Sequence, residues 1–97
     1  MPDYILRLSP KAAREIRTAK AWYARQNPAA ARAFADELDH ALNSLIESPD
    51  RWPKFSQSVR RYVLPRFPFS VLYRVGSNDI LIVAIAHQRR RPGYWER

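Results

Sequence analysis

Apolar and polar positions alternate at the start of the chain. Tyr4, Leu6 and Leu8 fall on one side and Ile5 and Arg7 on the other, which predicts a short strand. Ser9-Pro10 then reads as a helix start, because serine caps free amides and proline suits the first helical position. From there the period changes. Ala12, Ile16, Ala19 and Tyr23 recur at steps of four, three and four, one apolar stripe of a helix running to about Arg25. Asn27-Pro28 repeats the start signal. The second helix carries Ala31, Phe34, Leu38, Ala41 and Leu45, with Ala35, Leu42 and Ile46 widening the stripe, and it stops before Pro49. So short a link folds the two helices back as a hairpin.

Pro49 to Ser58 predicts a loop, broken by Pro49 and Pro53 and pinned by Trp52 and Phe55. Val59 to Leu64 alternates again, with Val59, Arg61 and Val63 on one side and Arg60, Tyr62 and Leu64 on the other. Pro65 and Pro68 close that strand, Phe69 to Val75 forms the next, and Gly76-Ser77-Asn78-Asp79 is a turn. Ile80 to His87 is a last strand whose run through Ala86 is apolar on both sides, as in an interior strand. The order β-α-α-β-β-β predicts a two-layer α+β domain over residues 1–97. Its helical hairpin packs on one face of a mainly antiparallel four-stranded sheet. The first strand's place in that sheet stays open. The other sheet face is expected to be less covered, with the arginines of the later strands and the tail converging on it.

Composition adds charge to this picture. An apolar fraction of 46% is ordinary for a globular chain, and the absence of cysteine removes disulfides and cysteine-based zinc sites. The net charge is +8. Residues 1–50 hold seven basic and seven acidic side chains, so the whole excess falls in residues 51–97. Such an excess attracts nucleic acid, an acidic protein or an anionic surface. The later half offers no basic amphipathic helix, which ranks the membrane last. The run Ile80 to Ala86 is too short to cross a bilayer, and the N-terminus has no basic-then-apolar leader. A soluble cytoplasmic protein is expected. No cofactor is implied, because His40 and His87, far apart in sequence, make a poor metal site.

Several segments carry a family likeness. They are Leu8-Ser9-Pro10-Lys11-Ala12, the pair Arg60-Arg61, the stretch from Arg66-Phe67-Pro68-Phe69 to Arg74-Val75, and the close Ile85-Ala86-His87-Gln88-Arg89-Arg90. In this order and spacing the chain resembles the RelE/ParE toxins of type II toxin–antitoxin systems. The resemblance implies a small toxin, of plasmid-stabilisation type, neutralised by a cognate antitoxin whose C-terminal segment wraps it. It also implies one of two targets. ParE-like members poison DNA gyrase through protein contacts, and RelE-like members cut mRNA on the ribosome without a metal. The evenly spaced hairpin, the proline-rich loop with Trp52 and the His-Gln close resemble the ParE branch more.

Metal-free RNA cleavage needs a proton acceptor, a proton donor and fixed positive charge on the phosphorane. On the endonuclease reading those roles fall to Arg66, His87, Arg89 and Tyr94, and the chain would be an endoribonuclease. Arg89 matches the arginine that RelE-like toxins place after the last strand. Target or nucleic-acid contacts fall to Arg60, Arg61, Arg74, Arg90, Arg91 and Trp95. Each has a plainer alternative. His87 could cap its strand, Arg74 could pair with a carboxylate, and Tyr94 and Trp95 could pack the tail. Glu47 at the end of the second helix could be the base, as a glutamate is in some relatives of the family, but its helical position fits a solvated face. Arg60 and Arg61 point to opposite faces, so at most one joins an exposed patch. Only Lys54 and Arg51 stand where endonucleases of the family cluster lysines.

Overall fold

The computed structural model describes residues 4–88. Six elements follow in the expected order: β1 (Ile5–Leu8), α1 (Pro10–Gln26), α2 (Pro28–Glu47), β2 (Arg60–Val63), β3 (Phe69–Val75) and β4 (Asp79–His87). Both helix starts form as their sequences predict. The Ser9 hydroxyl accepts the Ala12 amide at 3.0 Å, and the Asn27 side chain accepts the Ala29 amide at 2.8 Å. Each helix carries a proline in its first turn, where no intrahelical partner for the missing N–H is needed.

The sheet order is β1-β4-β3-β2. The three later strands pair antiparallel, and β1 joins β4 in parallel, with Leu6 beside Ile80 and Leu8 beside Ile82. The helical hairpin is the crossover that parallel pairing requires. β4 is therefore interior, as its two-sided apolar run indicates. Ser9 ties the end of β1 to it twice more, by its amide to the Ile82 carbonyl and its hydroxyl to the Val83 carbonyl. Gly76 closes the β3–β4 turn with its amide on the Asp79 carbonyl. A Cβ there would collide with the Asp79 carboxylate, which pairs with Arg7 at 3.2 Å.

The main core lies between the hairpin and one sheet face. Ala12, Ile16, Ala19, Phe34, Leu38, Ala41 and Leu45 meet Tyr62, Val71, Tyr73, Ile80, Ile82 and Ile85. The opposite sheet face carries less: Val59, Leu72 and Ala84 form a second, smaller buried cluster there, with Ala86 packed on it.

The two sheet edges differ. β2 is shielded by the loop before it, through the Arg61 amide on the Pro53 carbonyl and a bridge between Lys54 and Arg60. Trp52 packs tilted against Tyr62, ring centroids 4.8 Å apart, and pins that loop as predicted, whereas Phe55 stays exposed. On β1 the amides of Ile5 and Ser9 turn inward to Asn78 and Ile82. Strand alternation therefore turns the N–H and C=O groups of Leu6 and Leu8 outward from the sheet.

Candidate functional site

The pleat sorts the arginines. Arg61 stands opposite Leu72, and Leu72 opposite Ala84, so Arg61 belongs to the face away from the helices. Arg74 pairs across with Leu81, and Leu81 with Arg7, so Arg7 and Arg74 share one row of that same face. Arg61 lies 4.9 Å over the Phe55 ring. Arg74 is exposed, and no ion pair joins it to a carboxylate among the described residues, so pairing within its strand does not explain it.

Arg60 and Arg66 do not join them. Arg60 points to the helix side and organises the loop after α2. Its guanidinium donates to the carbonyls of Trp52 at 2.6 Å and Asp50 at 3.1 Å and lies 3.6 Å from the Asp50 carboxylate. Beneath it the buried Tyr73 hydroxyl donates to the Pro49 carbonyl at 2.8 Å. Burial pushes the Tyr73 phenol up to about 12, with Arg60 lowering it slightly and Asp50 raising it. Arg66 is fixed by Glu37 of α2, which accepts its amide at 2.9 Å and its Nε at 2.8 Å. For the described arginines, the expectation of one positive field on the far face is thus corrected. Arg61 and Arg74 reach that face, and Arg60 and Arg66 serve as ties on the other. Arg89, Arg90, Arg91, Tyr94 and Trp95 lie outside the described residues.

His87 ends β4 on the helix side, its ring 5.1 Å from Phe69 and edge-on to it. Both line an open groove of about 700 Å³ between α1 and the β3–β4 end of the sheet. From α1 the walls are Lys11, Arg14, Glu15, Thr18, Trp22 and Tyr23. Glu15 turns inward, its carboxylate accepting the Ile85 amide at 2.9 Å beyond the end of β1. Tyr23 stacks on Phe34 at 5.4 Å, and burial raises its phenol above the ordinary value. Trp22 packs edge-on against Tyr23 at 5.0 Å and stays 49% exposed. No group of three or more metal-ligating side chains occurs among the described residues.

Sequence reasoning missed the α1 side of this groove. The first fifty residues balance to zero because the helices nearly cancel and Asp3 and Asp50 outweigh Arg7. α1 carries Lys11, Arg14, Arg17, Lys20 and Arg25 against Glu15, while α2 carries Arg32 against Asp36, Glu37, Asp39 and Glu47. Summing charge by element instead of by half would have found it.

A helical hairpin on a mixed four-stranded sheet, with its candidate side chains on open surfaces, defines a RelE/ParE-type α+β protein. The chain belongs to the family described as the ParE toxin of the type II toxin–antitoxin system parDE, whose model matches residues 6–92. Among solved structures it is similar to one titled as the chromosomal ParDE TA system from P. aeruginosa. The two share 23% identity over 90% of this chain and 98% of that one, with a TM-score of 0.77, a likeness in fold. No curated protein matches the chain. No described helix is long and apolar enough to cross a membrane.

Proposed function

We propose that this chain arrests growth by binding DNA gyrase, and that a cognate antitoxin neutralises it in a plasmid-stabilisation type of system. The family match over residues 6–92 carries the reading. The placement of the described candidate residues supports binding over cleavage. RNA cleavage needs its acid, base and phosphate-gripping cations around one phosphate. Here Arg66 is held by Glu37, His87 lines a groove without Arg66, and Arg74 is on the opposite sheet face. Arg61 and Arg74 beside a small apolar cluster instead suit a docking surface for a negatively charged protein or protein–DNA complex.

The outer edge of β1 suits the antitoxin. An edge strand with outward-facing amides and exposed Ile5 and Leu8 is a template for an extended segment. Binding there would slow hydrogen exchange at Leu6 and Leu8.

The test is induction of the toxin alone, with DNA supercoiling and mRNA integrity read in parallel. Loss of gyrase supercoiling with intact message is expected. Normal supercoiling at saturating toxin, with translated mRNA cut inside reading frames, would replace this reading by the ribosome-dependent endonuclease.

A further inference from the structure

We infer that the outward ridge of α1, together with the aromatic groove beside it, binds single-stranded nucleic acid. The inference stands apart from the gyrase reading, since it concerns the opposite side of the sheet from Arg61 and Arg74.

The ridge comes first. Ala12, Ile16, Ala19 and Tyr23 face the core, so the positions half a turn away face solvent. Those are Arg14, Arg17, Ala21 and Arg25, spaced three and four residues apart, with Lys11 and Thr18 flanking. From Arg14 to Arg25 the row runs about 16 Å at the helical rise. No ion pair joins Arg14, Arg17, Lys20 or Arg25 to a carboxylate among the described residues. The helix's one acid, Glu15, is turned away into the groove and engaged by the Ile85 amide. A row of guanidinium forks without interleaved acid fits the repeating charge of a phosphodiester chain.

The groove supplies what a plain basic face lacks. Lys11, Arg14 and Thr18 of the ridge and its flanks also line the groove, where Trp22 joins them opposite Phe69 and His87. A tryptophan left half exposed where other large rings of the hairpin are covered is out of keeping with burial alone. Rings beside a cationic track are how sequence-tolerant binders hold unpaired bases, because every base has a stacking face. In a duplex those faces are already covered by neighbouring bases. An acidic peptide would use the same cations but has no need of a ring-lined wall. These two features together favour a single strand over either.

The test is binding of a fluorescein-labelled twenty-nucleotide single strand to the full chain by anisotropy, over a range of salt. The variant Arg14→Ala/Arg17→Ala/Arg25→Ala should flatten the plot of log affinity against log salt by about 2, at about 0.7 per lost phosphate contact. The charge-matched variant Arg32→Ala/Arg51→Ala/Lys54→Ala should leave the slope unchanged. Trp22→Ala should weaken binding by roughly tenfold with the slope retained, as loss of one stacked base does. Circular dichroism confirms that each variant is folded. Equal slopes for the two triple variants would overturn the proposal. So would full affinity in Trp22→Ala, or stronger competition by polyglutamate or duplex DNA than by unlabelled single strand at equal charge. Normal strand binding with failed gyrase inhibition would leave this site standing and remove the other reading.

Discussion

Glu37 should be worth more to the fold than the arginine it binds. It is a carboxylate on α2 with a side chain only 7% exposed, and it accepts two donors from Arg66. The two bonds are unequal in setting. The amide bond ties the β2–β3 connection to the helix, and a charged acceptor makes such a bond worth about 1.5–3 kcal/mol. The guanidinium bond involves a side chain that is 69% exposed, so solvent screening reduces it to about 0.2–1 kcal/mol. Glu37→Ala removes both and strands the Arg66 amide, for a loss of about 2–4 kcal/mol. Arg66→Ala removes only the screened bond and leaves the amide in place, for about 1 kcal/mol or less.

Thermal and urea unfolding of the two single variants and the double variant separates these contributions. In a domain of this size each kcal/mol moves Tm by about 4–8 °C, so Glu37→Ala should melt roughly 10 °C or more below the parent. The double-mutant cycle should give a coupling below about 1 kcal/mol, because most of what Glu37 does passes through backbone that Arg66→Ala keeps. Equal losses for the two single variants, or a coupling as large as the whole Glu37→Ala effect, would refute the division drawn here.

Tyr73→Phe should cost about 1 kcal/mol near neutral pH through the lost bond to the Pro49 carbonyl. The Tyr73 phenol is raised to about 12, so its contribution is complete below the unfolded value near 10 and fades as pH climbs from 10 through 12. The stability gap between parent and variant should therefore close over that window, and a gap constant to pH 12 would contradict it. Ser9→Ala should cost about 1–2 kcal/mol in urea unfolding, since one hydroxyl both caps α1 and holds the Val83 carbonyl. Arg60→Met should loosen the loop at residues 49–58, seen as faster hydrogen exchange at Phe55 and Arg61. Arg61→Glu/Arg74→Glu should leave Tm within a few degrees, because neither side chain pairs with a carboxylate among the described residues, yet abolish growth arrest if the far sheet face meets the target.

The helices were legible because their signals are local. Ser9-Pro10 and Asn27-Pro28 each bring a cap and an N-terminal proline together within two residues, and both caps form. β4 was legible as interior from its two-sided apolar run, and it lies between β1 and β3. That β1 is its other neighbour, and parallel, depends on contacts across more than seventy residues that no local pattern encodes. Opposite directions for Arg60 and Arg61 followed from alternation, and Arg61 is the one on the far face. The role of Arg60 as a loop tie did not follow, because its acceptors are backbone carbonyls, which carry no sequence signal. Glu37 did leave a trace: it sits three residues after Phe34 and four before Ala41, within the apolar stripe. An acid at a core-facing position demands a donor, but which donor was fixed only by the fold, 29 residues away.

Charge was the measure that sequence reasoning used most coarsely, and the fold shows why halves of a chain are the wrong unit. A net charge acts through the field at a surface, and surfaces are made by element faces. The hairpin places a basic α1 beside an acidic α2, so its small net charge hides a charge separation across one layer. Meanwhile four of the five arginines of the described second half divide between two ties on the helix side and two cations on the far face. The ridge of α1 and the pair Arg61–Arg74 are thus separated by the sheet and by a helix about 10 Å across, more than the ~8 Å screening length in physiological salt. Charges so separated do not compete for one polyanion. A partner on the sheet face leaves the α1 ridge open, so the described cations form two surfaces instead of one.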